Sequence, residues 1–224
     1  MSSNKEIKYI TKSCNIASNI LNKCIKNIKN FKNEIEVADF LKKETKKHSC
    51  KLAFKPIVAI ANNAAVIHHK PNRRKLKKGF LIIDFGVKYK GYCSDITRTI
   101  YIGKPSKREK QLYNLVLKTQ LLAIKKIKVG MKCSDIYDIA STSLGNYKKY
   151  FLHRLGHGVG KRIHESPSLG PKNKRKIKNN IALTIEPGIY LKKKFGIRIE
   201  DTILLKKNKV KILTNIPKKL IVVN

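Results

Sequence analysis

Two aspartates bracket the stretch DFGVKYKGYCSD, residues 84–95, in a chain with only 14 Asp and Glu against 51 Lys and Arg. FLIIDFG followed by GYCSDITRTIYIG reads as a β-hairpin around Lys-Tyr-Lys-Gly. Side chains alternate along a strand and opposed positions share a face, so Asp84 and Asp95 are expected to project from the same side. Two carboxylates that close repel, and a cation is expected between them. Glu186 in LTIEPG and Glu200 in RIED stand fourteen residues apart in the β-like C-terminal region. Asp84, Glu186 and Glu200 all interrupt apolar β-runs, where a charge needs a partner. LGHGVG adds His157, with glycines on both sides that allow close backbone approach. Four carboxylates and one imidazole form a hard, oxygen-rich ligand set with room for two divalent ions, suited to Mn²⁺, Co²⁺, Fe²⁺ or Zn²⁺. Each residue alone also has an ordinary reading as a turn aspartate, a hydrogen-bonded histidine or a solvated glutamate. Their joint pattern is what points to metal.

The elements that must position these residues follow from periodicity and punctuation. Apolar residues at helical spacing predict one helix over 5–30 and a second from Glu34 to about Lys46. FKPIVAIAN reads as a strand ahead of the hairpin. Residues 107–128 return to helix and stop at Val129-Gly130, and Ser134 is expected to cap a further helix to about Leu144. From Phe151 onward the chain reads as strands joined by glycine and proline turns. Helices, hairpin, helices, then strands predict an α+β fold, with helices packed on one face of a largely antiparallel sheet. With no repeat, low-complexity tract or linker to divide it, the chain is expected to form a single domain over 1–224.

The formal charge of +37 invites a nucleic-acid reading, but only eight of the 51 basic residues are Arg and the lysines run along the whole chain. Compositional drift explains that distribution better than a recognition surface. Without a nucleic-acid motif, RNA contact is expected only as weak, salt-dependent attraction. No run approaches the roughly 18 apolar residues of a membrane span, and the opening segment lacks an apolar leader core. Five scattered cysteines with no C-x-x-C pair fit a reducing, cytoplasmic setting with buried thiols.

IIDFG, GYCSDITRTIYIG, FLHRLGHGVGKRIHE, LTIEPGIY and GIRIEDTILL occur in one order over nearly the whole chain. In that combination the sequence resembles the pita-bread-fold metallopeptidases, which include methionine aminopeptidase, prolidase and aminopeptidase P. The resemblance implies a curved, largely antiparallel sheet with helices on its outer face, and a dinuclear centre carrying Mn²⁺ or Co²⁺ first, Fe²⁺ or Zn²⁺ second. Asp84, Asp95, His157, Glu186 and Glu200 match the ligands. Asp95 and Glu200 would bridge the ions, Asp84 would complete one, and His157 with Glu186 the other. Two ions about 3.5–4 Å apart can hold a bridging water, lower its pKa and polarise a scissile carbonyl. Glu186 is then the expected base. His164 matches a histidine that hydrogen-bonds the substrate carbonyl, and His68 matches one across the cleft, with His69 as its immediate rival.

Within that family the short interval between Glu186 and Glu200, and Arg198 two residues before the latter, are similar to the Xaa-Pro branch. His153, Arg198 and Tyr190 match substrate-pocket positions of that branch, although Tyr190 could simply pack and Arg198 could merely neutralise Asp201 or Glu200. The expected activity is hydrolysis of the bond between an N-terminal residue and proline, with a peptide as substrate and a homodimer left open. Removal of initiator methionine and a non-catalytic, RNA- or ribosome-associated role are the alternatives. Only 67 residues precede His68, whereas Xaa-Pro peptidases usually carry a whole domain before the catalytic one. Lys161 and Arg162 replace residues that are more often apolar in the family, and lysine drift is preferred there over a taste for acidic substrates.

Overall fold

Four helices and fourteen short strands follow one another in the order predicted, in a computed structural model that describes residues 3–224. Residues 1 and 2, which begin both the expected domain over 1–224 and the opening segment, lie outside the described residues.

Helix α1 (Asn4–Lys26) starts with a capping box, in which the Ser3 hydroxyl accepts from Glu6 N and the Glu6 carboxylate accepts from Ser3 N. The single helix expected over 5–30 breaks at Asn27, whose side-chain amide donates to Lys23 O, and a separate 3₁₀ turn follows over Ile28–Asn30. Asn competes for helical backbone groups in this way. Helix α2 (Glu34–Lys47) is capped by Asn33, and α3 (Lys107–Lys126) by a second capping box from Ser106 and Glu109. Helix α4 (Cys133–Ser143) begins one residue before the expected cap, leaving Ser134 inside the first turn. Its leading amides are satisfied by a neighbouring loop instead, Cys133 N donating to Arg175 O and Ser134 N to Asn173 O.

The strands before the midpoint are β1 (Lys51–Leu52), β2 (Ile57–Ile60), β3 (Gly79–Phe85), β4 (Val87–Tyr89), β5 (Tyr92–Cys93) and β6 (Ile96–Ile102). Those after it are β7 (Gly156–Gly158), β8 (Glu165–Leu169), β9 (Ile181–Ile185), β10 (Gly188–Leu191), β11 (Phe195–Arg198), β12 (Asp201–Lys206), β13 (Lys209–Ile212) and β14 (Val222–Val223). They form sheets ordered β14-β6-β3-β2, β13-β12-β9-β7-β8, β1-β4-β5 and β10-β11. Every pairing is antiparallel except β14 with β6.

The expected hairpin is really two. Strand β3 pairs with β6, while Lys90 and Gly91, both at positive φ, turn a smaller β4–β5 hairpin that belongs to another sheet. The chain leaves the first sheet at Gly86, where a Cβ would lie 2.0 Å from Ser94 O, so only glycine fits. Alternation along β3 sends Leu81, Ile83 and Phe85 into a core shared with Leu21, Val37 and Leu41 of α1 and α2. Asp84 therefore faces away from those helices. A second core joins Val116 of α3 and Ile136 of α4 to Leu183 and Ile203 of the five-stranded sheet. All five cysteines are free and buried, and no helix among the described residues is long and apolar enough to cross a membrane.

Arg98 ties these layers together. Its buried guanidinium donates to Thr97 O, Glu200 O and Ile216 O and forms a 2.7 Å ion pair with Asp201. Asp201 also accepts from Gln120 of α3, Thr214 and Lys218. Burial pushes the Asp201 carboxyl upward, but Arg98 and Lys218 outweigh that and hold it below its usual value. Removing one partner of such a pair strands the other charge in the core. Asp201→Ala is expected to cost about 3–5 kcal/mol, read from the midpoint of urea unfolding; a loss below about 1 kcal/mol would mean that the pair does not hold the sheets together.

Candidate metal centre and substrate cavity

A cavity of about 1450 Å³ opens where the four- and five-stranded sheets meet, and Asp84, Asp95, His157, Glu186 and Glu200 all line it. Asp84 stands near the end of β3 opposite Thr97, and Asp95 lies two residues before Thr97, so period-two alternation brings both acids to one face. Glu186 follows β9 and Glu200 precedes β12, adjacent strands whose register pairs Ile185 with Asp201. His157 sits on β7, which packs so closely on β9 that a Cβ at Gly156 would meet Thr184 O at 1.9 Å. The flanking glycine is thus a requirement of that approach.

Each carboxylate but Asp95 has one oxygen held by a named donor. Thr97 Oγ1 donates to Glu200 Oε2 at 2.7 Å, Thr184 Oγ1 to Glu186 Oε1 at 3.1 Å, and Arg198 Nη2 to Asp84 Oδ2 at 2.7 Å. The remaining oxygens Asp84 Oδ1 and Glu200 Oε1, together with Asp95 Oδ1, are buried and accept no hydrogen bond among the described residues. Buried acceptors without partners are rare in a folded chain. The Nδ1–H of His157 donates to Gly158 O at 3.0 Å, which leaves Nε2 facing Asp95 Oδ2 at 3.5 Å and Glu186 Oε1 at 3.4 Å. Asp95, His157 and Glu200 each present a ligand atom within 4.8 Å of the others. Burial, followed by the charges of Asp84 and Glu186, pushes the Asp95 carboxyl well above its usual value. Burial and the neighbouring carboxylates raise Glu200 in the same way, and burial raises Glu186. Divalent cations would reverse that repulsion and satisfy the bare oxygens, so these residues fit the ions that their types imply.

A chain of hydrogen bonds forms one wall. Arg198 bonds Asp84 and donates through Nη1 to the Tyr190 hydroxyl at 2.7 Å. That hydroxyl donates to His153 Nε2 at 2.9 Å, and His153 Nδ1–H donates to Arg154 O. Burial and the Arg198 charge lower the His153 pKa to about 3, so the ring is a neutral acceptor. His153 and Arg198 line the cavity, whereas Tyr190 is 2% exposed and sits behind them. Arg198 does not pair with Asp201, which Arg98 already holds.

His164 is exposed at the cavity, its ring edge-on to His157 with centroids 4.4 Å apart. Burial and then His157 lower its pKa. His68 is also exposed at the cavity, while Nε2 of its rival His69 lies 2.8 Å from Glu34 Oε2. Lys161 and Arg162 are exposed and are not among the residues that line the cavity. Sequence reasoning missed Thr97 and Thr184, though each lies at a same-face position two residues from a proposed ligand. It also missed Glu34, which in a sequence is indistinguishable from any acid placed in a helix's first turn.

Residues 8–207 match metallopeptidase family M24. The chain is 39% identical over 223 residues to the Xaa-Pro dipeptidase of Pyrococcus horikoshii, covering 98% of this chain and 64% of that one. A prolidase from Thermococcus sibiricus shares the fold with a TM-score of 0.95 and 38% identity over 99% of this chain and 62% of its own. An X-Pro aminopeptidase from Thermotoga maritima has a TM-score of 0.95 at 34% identity, over 99% and 64%. The chain thus spans less than two thirds of the length of these relatives. The observed fold is the pita-bread fold expected from the motifs.

Neutralising one proposed ligand should have opposite effects with and without metal. Metal-free Asp95→Asn is expected to melt above metal-free wild type, because one of the repelling carboxylates is gone. Mn²⁺ at about 100 times its Kd should add about 2.7 kcal/mol to the wild type and much less to the variant. Calorimetry of both proteins with and without Mn²⁺ checks this; equal stabilisation of both by Mn²⁺ would remove Asp95 from the ligand set.

Proposed function

The chain belongs to metallopeptidase family M24, and from that premise we propose that it is a metalloaminopeptidase hydrolysing the bond between an N-terminal residue and proline, in Xaa-Pro peptides or dipeptides. The observation that carries this reading is the convergence of five ligand-type side chains, three with bare buried oxygens, at a cavity that also presents His68 and His164. The names of the Pyrococcus, Thermococcus and Thermotoga relatives support the same substrate class. Arg198, bonded to Asp84 from the R-I-E-D context, favours this branch over initiator-methionine removal.

Two divalent ions held by Asp84, Asp95, His157, Glu186 and Glu200 would supply Lewis acidity and an acidified water. Glu186 takes the proton of the attacking water and delivers it to the leaving nitrogen. Thr184 Oγ1 fixes one of its oxygens for that role. His164 donates to the substrate carbonyl as negative charge develops on it, an interaction commonly worth about 3 kcal/mol. His68 contacts the substrate from its own part of the cavity wall. His153 and Arg198 form the polar wall beside the substrate, and Tyr190 braces both from behind.

The test is hydrolysis by the Mn²⁺-loaded protein of a Xaa-Pro dipeptide, a longer Xaa-Pro peptide and a Met-Ala peptide. Cleavage of either proline substrate is expected, falling about 10²–10⁴-fold in Glu186→Ala and about 10²–10³-fold in His164→Ala. Cleavage of Met-Ala alone would select the methionine reading. No cleavage with any of the four metals would favour a non-catalytic protein.

A further inference from the structure

Glu34, the first residue of α2, is completely buried yet lies outside the cavity. Both of its oxygens are doubly engaged. Oε1 accepts from Ile60 N at 2.8 Å and Asn63 Nδ2 at 2.9 Å, and Oε2 accepts from Asn72 N at 3.0 Å and is hydrogen-bonded to His69 Nε2 at 2.8 Å. Three backbone or amide N–H donors and one imidazole nitrogen thus surround a single carboxyl group. Those donors lie on both sides of His68, from the end of β2, through the 3₁₀ turn Ala61–Ala65, to Asn72. The same segment continues around the start of α2, where Glu34 N donates to Arg74 O and Leu76 N to Lys32 O. On another side, Ala64 O presses on Gly196 of β11 so closely that a Cβ there would lie 2.0 Å away. Strand β11 is the one that carries Arg198.

We propose that Glu34 is a positioning residue for His68. Its carboxylate gathers the loop over 60–72 and fixes the backbone from which the His68 imidazole reaches the cavity. The neighbouring histidine is part of the device: His69 is spent on Glu34, and its capture orients the adjacent peptide so that His68 is presented to the substrate. Gln at position 34 keeps the shape but replaces one acceptor oxygen with an NH₂ group, so the bond from Asn72 N fails if that group faces His69, and those from Ile60 N and Asn63 fail if it faces the other way. The proposal rests on the reading of this cavity as a peptidase site in which His68 touches substrate.

Two readouts separate the clamp from general stability and from the functional reading. Amide hydrogen exchange at Ile60 and Asn72 should accelerate in Glu34→Gln while β3 and β6 keep their protection. On the longer Xaa-Pro peptide, Glu34→Gln is expected to lower kcat/KM about 10²-fold, as a misplaced group does. In a His68→Ala background the same change should add less than about threefold, because the group being positioned is absent. Asn63→Ala, which removes one donor and no charge, provides a milder variant that should move both readouts in the same direction. An equal loss from Glu34→Gln with and without His68, or unchanged exchange at both amides, would overturn the proposal. A wild type that cleaves neither proline substrate would overturn the peptidase reading instead, and exchange at Ile60 and Asn72 would then decide the clamp alone.

Discussion

Repulsion among carboxylates gathered at one buried site is the constraint around which the molecule is organised. Asp84, Asp95, Glu186 and Glu200 come from distant parts of the sequence, and burial removes the water that would otherwise screen them. Among the described residues, one guanidinium forms an ion pair with this group, that of Arg198 with Asp84. Hydroxyls from Thr97 and Thr184 orient the glutamates without neutralising them. The arrangement therefore aims unsatisfied oxygen at one place, which is costly in an empty core and favourable around divalent cations.

The supporting structure keeps those acids from drifting apart. Antiparallel register sets Asp84 against Thr97 and aligns the strands flanked by Glu186 and Glu200. Behind them, Arg98 and Asp201 lock the two larger sheets to α3 and to the C-terminal segment. Beside them, the path from Asp84 through Arg198 and Tyr190 to His153 links a proposed ligand to the cavity wall. In a chain of net charge +37, several of the few acids are buried at this site or in ion pairs, while most lysines are solvated.

Much of this was legible because local signals and long-range packing agree. Alternation placed Asp84 and Asp95 on one face, apolar periodicity marked α2 and α3, and glycines flanking His157 announced a close backbone approach. What stayed hidden depends on contacts between segments far apart in sequence. Nothing local shows that Arg198 pairs with Asp84 while Arg98 takes Asp201, or that a glutamate at the start of α2 captures His69. The hairpin that split in two and the helix that broke at Asn27 show a different limit. Each was an apolar pattern continuous enough to read as one element, interrupted by a sheet switch at Gly86 or by a side chain competing for backbone.

Anomalous diffraction from crystals soaked in Mn²⁺ tests the central claim most directly. Two peaks are expected at the cavity floor, both within ligand distance of the set formed by Asp84, Asp95, His157, Glu186 and Glu200, with the oxygens Asp84 Oδ1, Asp95 Oδ1 and Glu200 Oε1 turned toward them. Crystals that bind Mn²⁺ elsewhere, or leave those three oxygens without a metal at saturating concentration, would contradict the account.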